Sequence, residues 1–251
     1  MKQKISRMYI DILVVFTVVM LVTPQLHAMH IMEGFLPPSA CIAWGIICIP
    51  FVMHGVRRAN RVLAVNPQTI TILAMAGAFT FVLSALKIPS VSGSSSHMTG
   101  LGFAAILFGP AMASVLALIV LLFQALLLAH GGLTTLGANT FSMGIVGPLV
   151  AFTVFVALRR IKAPRSVCVF FAAAIGDFAT YITTSLQLAF VYPAENGGVT
   201  ASFLKFAGIF AVTQVPLAVI EGILTVVLVN VVLEYGGEIV KSFSREELSR
   251  D

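Results

Sequence analysis

The chain has 251 residues, of which 59% are hydrophobic and only 10% charged, and its mean hydropathy is +1.02. Those values lie far outside the range of water-soluble globular proteins and place the chain in a bilayer. The net charge of +5 falls in short basic clusters between apolar runs, where membrane topology accounts for it, so it implies no nucleic-acid partner.

Lys2, Lys4 and Arg7 form a positive start, Ile12 to Val22 is apolar apart from Thr17, and Pro24 to Ala28 breaks the run before a small residue. This is the pattern of a cleavable signal peptide over 1–28, although Leu26 and Asp11 depart from it and an uncleaved anchor is the alternative. Cleavage leaves a mature chain, 29–251, that begins MHIMEGFLPP. Apolar stretches then run at about 39–56, 68–88, 100–129, 140–158, 166–192 and 201–233, without a soluble domain or long linker between them. The 100–129 stretch exceeds one simple span, and Gly109-Pro110 interrupts it where proline removes a helix hydrogen bond.

Charge chooses how to thread these stretches. With the mature N-terminus outside, Arg57, Arg58 and Arg61 fall on the cytoplasmic side. Breaking 100–129 at Gly109-Pro110 also puts Arg159, Arg160, Lys162 and Arg165 inside, along with Lys241, Arg245 and Arg250. The expectation is an all-α integral membrane protein of seven transmembrane helices, N-terminus outside and C-terminus cytoplasmic. The short pass at 100–108 spans only about 14 Å at helical rise, so the Ser/Gly-rich segment Ser90 to Gly100 is expected to dip into the protein. Non-helical backbone is tolerated at that depth only where protein or a cavity surrounds it.

The chemistry concentrates at the mature start. A free α-amine on Met29, the Met29–His30 amide nitrogen and the His30 imidazole close fused rings around one transition ion, and such nitrogen donors suit nickel, cobalt or copper in a planar site. His97, in the polar segment on the same side of the membrane, supplies a fourth donor. Protons compete with the metal for these nitrogens, which ties binding to pH. His130 is read as a helix-end histidine interacting with terminal carbonyls, His54 as an interfacial residue, and Cys41, Cys48 and Cys168 as small buried apolar residues.

Glu33 faces cations, an imidazole or solvent. Asp177 and Glu221 lie within apolar spans, either as part of a cation relay or, the favoured reading, as groups holding helices together. The small-residue run Ala74 to Ala78 is an internal contact or a docking face. HExxH, GxSxG and GxxxxGK[ST] motifs are absent from the sequence, so the chain is not read as an enzyme and does not hydrolyse ATP itself.

Four segments in order, MHIMEGFLPP at 29–38, SSSHMTG at 94–100, HGGLTTLGANTFSMGIVGP at 130–148 and QVPLAVIEGILT at 214–225, make the chain resemble the CbiM family. These are cobalt substrate-binding components of energy-coupling factor (ECF) transporters, closely similar to the nickel-specific NikM proteins. The resemblance implies a metal held in a planar site by the terminal amine, the second residue's amide and imidazole and a further histidine, which carry over to Met29, His30 and His97. It also implies a terminus inserted into the core of a seven-helix fold in the bacterial inner membrane. Its expected partners are a transmembrane coupling subunit (CbiQ-like), ATPase subunits (CbiO-like) and a small accessory membrane protein (CbiN-like). The expected function is capture of Co2+ as transported substrate for cobalamin biosynthesis, with no organic cofactor. Nickel is the alternative cargo, and a secondary transporter coupling cations through Asp177 and Glu221, or a membrane metalloenzyme, is the reading from another class.

Overall fold

A computed structural model describes residues 30–86, 88–89 and 95–235. Residues 1–29, Met29 among them, together with Lys87, the segment from Ser90 to Ser94 and residues 236–251 with the C-terminal basic cluster, lie outside the described residues. The chain is helical almost throughout: α1 Pro38–Val65, α2 Thr69–Ala85, α3 Leu101–Phe108, α4 Pro110–Leu127, α5 Leu136–Arg160, α6 Arg165–Val191 and α7 Gly198–Tyr235. Between α2 and α3 a two-residue antiparallel ribbon pairs β1, Ile88–Pro89, with β2, Ser95–Ser96.

Five of the helices, α1, α4, α5, α6 and α7, are long and apolar enough to cross a membrane, while α2 is a shorter apolar helix. Their outward side chains are themselves apolar, as with Ile42 and Ile46 on α1 and Val212 on α7. Such a surface is costly in water and is matched by lipid, so this is a multi-pass membrane protein.

The break at Gly109-Pro110 has a physical basis. Gly109 takes φ +78°, open to glycine and strained for other residues, and Pro110 starts α4, where its missing N–H removes nothing. The result is the eight-residue α3, every side chain of which is buried. A helix apolar all round needs neighbours on all sides, and α3 finds them in α4, α5 and α6. Gly102 permits the closest of these contacts, since a Cβ there would lie 2.8 Å from the Ala173 Cα of α6.

The helices overrun their apolar stretches, α1 continuing through Arg57, Arg58 and Arg61 to Val65, because a helix needs only its hydrogen bonds, and not hydrophobicity, to extend into the interface. Cys48 and Cys168 are buried as expected, but Cys41 is half-exposed. On α2, Ala76 is fully buried while Ala74 and Ala78 stay exposed.

Inside α5, residues Thr140–Val146 form a π-helix. Pro148 has no N–H for the carbonyl four residues back, and Gly147 donates instead to Ser142, five residues back. This wider turn follows directly on Asn139, whose side chain points into the site described next. Near the start of the same helix, Gly137 meets Gly45 of α1, where an added Cβ would stand 2.6 Å from the Gly45 backbone. Gly137→Val is therefore expected to push α1 and α5 apart and destabilise the protein by about 1–3 kcal/mol, read as a lowered Tm in detergent.

Candidate metal centre

The segment that precedes α1 is fastened by polar contacts to the start of α5. Asn139 reads the backbone of Ile31 on both sides, accepting from its N–H at 2.8 Å and donating to its carbonyl at 3.0 Å. That carbonyl also accepts from the Thr135 hydroxyl at 2.6 Å. Ile31 and Leu36 are buried among Ala138, Tyr181, Leu188 and Phe210, so the segment is held by burial as well as hydrogen bonds. Glu33 lies outside this apolar contact: its carboxylate accepts from the Thr134 N–H at 3.1 Å, and its bonds to Thr134 hold its pKa below the usual carboxylate range. Glu33 thus closes the outer loop of the site and points its charge toward Thr134.

The second strand of the site is the backbone from His97 to Gly100, which enters the bundle ahead of α3. Its donors and acceptors are met from α7. The Glu221 carboxylate accepts from the Thr99 N–H at 2.6 Å, the Thr99 hydroxyl at 2.8 Å and the Gly100 N–H at 2.9 Å. The carboxyl group here also faces the positive end of the α3 dipole. Two turns earlier on the same face, Gln214 donates to the His97 carbonyl at 3.1 Å and to Asp177 of α6 at 2.7 Å. Gly100 adopts φ +69°, and its position leaves no room for a side chain, a Cβ falling 2.9 Å from the Thr80 Cα.

These two strands bring His30 and His97 together. His97 Nδ1 faces the Met98 carbonyl at 2.8 Å, which assigns the proton to Nδ1 and points the Nε2 lone pair inward. Nε2 then lies 2.6 Å from His30 Nδ1. Two nitrogens bound to one ion at about 2.0 Å and at right angles stand about 2.8 Å apart, so this hydrogen-bonded pair is close enough to face a single ion. His30 Nδ1 is also the ring nitrogen that closes a chelate with its own residue's amide nitrogen.

His130 joins them. Its backbone N–H donates to the Gln124 carbonyl at 3.1 Å and closes the end of α4, but the ring does not make the helix-end contact that the sequence suggests. Ala129 at φ +46° and Gly131 at φ +75° then turn the ring inward instead of leaving it at the surface. Its centroid lies 4.5 Å from that of His30 and 4.8 Å from that of His97. One ligand atom from each of the three histidines falls within 4.8 Å of the others, and the residues are 3%, 0% and 2% exposed. Three buried imidazoles so close are donors of the kind that transition metals take, and the cluster is a candidate metal site. Gly131 and Gly132 allow the approach, a Cβ at Gly132 falling 2.5 Å from the Glu33 Cα.

The remaining residues singled out from sequence lie elsewhere. His54 is exposed on α1, remote from the cluster. Sequence reasoning named Asp177 and Glu221 and favoured a role in holding helices together. The spacing of Gln214 and Glu221, two helical turns on one face, is the signal that they act on one neighbour. Asn139 and Thr135 went unnamed, being two polar residues in a long motif that carries many.

Residues 30–239 match the family model CbiM, described as the cobalt uptake substrate-specific transmembrane region. The chain belongs to the CbiM family. It is similar to the cobalt transport protein CbiM of Chlorobium limicola, 57% identical over 222 residues that cover 88% of this chain and 87% of that one. It is likewise similar to the cobalt transport protein CbiM of Lachnoclostridium phytofermentans, 59% identical over 207 residues, 82% of this chain and 83% of the relative. Its fold is shared with the crystal structure of a transition metal transporter, with a TM-score of 0.73 at 22% identity over 86% of this chain and 98% of that one. A truncated transition metal transporter gives 0.72 at 24% identity, over 82% and 99%.

Glu221→Ala removes the common acceptor of two N–H groups and a hydroxyl inside the bundle. Each buried donor left unsatisfied costs about 1–3 kcal/mol, so the variant is expected to unfold several degrees lower, measured by thermal denaturation in detergent, whereas Glu33→Ala at the exposed edge is expected to change Tm little.

Proposed function

We propose that this protein is the substrate-capturing membrane component of an ATP-driven importer of the energy-coupling factor type, and that its cargo is Co2+. The observation that carries the reading is the apposition of His30 Nδ1 and His97 Nε2 at 2.6 Å in a chain of the CbiM family. The ion is held in a plane by the Met29 amine, the His30 amide nitrogen, His30 Nδ1 and His97 Nε2, with His130 standing beside that plane. Removal of residues 1–28 supplies the free amine. The same four nitrogens accept Ni2+, which the divalent series favours over Co2+ on affinity alone. Nickel is therefore the second reading, and supply and partner proteins decide between them.

Each group has a separate task. The imidazoles must be neutral to bind, and an ordinary histidine loses its proton at about pH 6.5, so capture at neutral pH displaces protons mainly from the amine and the amide. Asn139 fixes the register of Ile31 and hence the aim of the His30 ring. Gln214 and Glu221 fix the His97 backbone, and the Met98 carbonyl sets its tautomer. Glu221 has both carboxylate oxygens engaged by Thr99 and Gly100, and Asp177 has Oδ2 engaged by Gln214, which supports a holding role over a cation relay. With α3 completing one pass together with the His97 segment, the chain crosses the inner membrane seven times, N-terminus outside and C-terminus in the cytoplasm, and delivers cobalt for cobalamin biosynthesis. ATP hydrolysis belongs to CbiO-like subunits, working through a CbiQ-like coupling subunit with a CbiN-like accessory protein.

Extra residues placed ahead of Met29 in the processed protein convert its amine to an amide. Tight Co2+ binding by isothermal titration is expected to vanish, and retained affinity would refute the arrangement. Intact-mass spectrometry of the same samples gives the N-terminal residue and the bound metal. His130→Ala is expected to weaken Co2+ binding about tenfold to a hundredfold, as loss of a supporting group does, and His97→Ala by more than that with a change in the cobalt visible spectrum. The reverse order would make His130 the in-plane ligand.

A further inference from the structure

A second feature of the fold lies away from the histidines. α1 and α5 run in the same direction, touch at Gly45 and Gly137, and separate toward their other ends, with the start of α4 closing the back of the gap. The wedge between them is a cavity of about 780 Å³. Along both helices the lining changes in the same order, from apolar Phe51, Ile145, Leu149 and Phe152 to His54, Arg58, Arg159 and Arg160 at the widening end. Its lining includes no acidic side chain.

Membrane topology asks only that basic residues lie on one side of the bilayer. It does not ask that those of α1 and α5 converge on one cavity with an apolar continuation. A molecule that fits both parts has an apolar tail beside a compact negative head. Basic pockets between membrane helices recognise anionic lipid headgroups. A zwitterionic lipid brings its own cation to the arginines and loses that advantage, and a soluble anion has no use for the apolar walls.

We propose that this wedge is a binding site for an anionic phospholipid, its acyl chain between α1 and α5 and its phosphate against Arg159 and Arg160, with His54 and Arg58 on the facing helix. The lipid fills the gap that opens between the two helices beyond their contacts at Gly45–Gly137 and Trp44–Phe141, and so braces the bundle away from the histidine cluster. Nothing in this site depends on the identity of the transported ion.

The test uses the full-length processed protein in neutral detergent, offered phosphatidylglycerol or phosphatidylcholine, with retained lipid counted by native mass spectrometry and Tm followed in parallel. Phosphatidylglycerol is expected to be retained about tenfold better and to raise Tm. The double variant Arg159→Gln/Arg160→Gln is expected to bring the two lipids to near parity, and Leu149→Trp, which fills the apolar wedge without altering charge, to lower retention of both. Inorganic phosphate is expected not to displace the lipid. Equal retention of the two lipids by the unaltered protein, a preference that survives the arginine substitutions, or displacement by inorganic phosphate would each overturn the proposal. So would loss of co-purifying partner subunits from the arginine variant with lipid preference intact, which would make the wedge a protein interface.

Discussion

Everything at the histidine cluster depends on how the backbone from His97 to Gly100 is satisfied inside a bundle of apolar helices. Backbone that is neither helix nor sheet exposes N–H and C=O groups that lipid and packed hydrocarbon cannot meet. Here α7 meets them with Glu221 and Gln214, and α6 contributes through Asp177. Were this segment to wind into helix instead, α3 would extend toward the outer surface and the His97 ring would rotate away from His30. A carboxylate that looks out of place within an apolar span is thus what allows a broken helix, and the broken helix is what delivers an imidazole to the interior.

The opposing strand is held by a different device. Asn139 satisfies both backbone groups of Ile31 as a neighbouring strand would, and does so from a helix. Its placement rests on the π-helical turns that begin at Thr140, which follow from Pro148 further along. A proline that leaves a carbonyl without its donor, a widened turn and an asparagine aimed at the N-terminal segment form one chain of cause. Changing Pro148 would therefore be felt at His30 through the rotation of Asn139, with no direct contact between them.

Much of this architecture was legible in the order of residues. Apolar runs marked the helices, and Gly109-Pro110 marked the point where α3 stops and α4 begins, because backbone freedom and a missing donor are properties of those residues alone. The segment with His97 announced itself by polar residues between apolar ones, and His30 by its place next to a cleavage pattern. What stayed hidden was where side chains turn. His130 ends its helix as its sequence implies, yet the direction of its ring is set by left-handed backbone at Ala129 and Gly131, which nothing in the local pattern of a Gly-rich turn specifies. Glu221 was visible as an ionisable residue in a span, but its partners lie more than a hundred residues earlier, at Thr99 and Gly100. Helix ends also ran beyond the apolar stretches, since hydrophobicity reports where lipid stops and hydrogen bonding decides where the helix does.

The geometry bears on how a tightly held ion can leave. On the reading proposed above, a plane of nitrogens drawn from two separate strands needs both strands in place, and each strand is fixed by a few hydrogen bonds to different helices: α5 for the N-terminal segment, α6 and α7 for the His97 loop. A displacement of α7 relative to α5 would separate His97 from His30 without unfolding either strand, because the polar contacts of each would travel with its own helix. Closely packed helices shift as units more readily than they deform. On the reading proposed above, a force applied by a partner to the body of α7 opens the site at its outer end, and the seam between the two imidazoles is where capture and release differ.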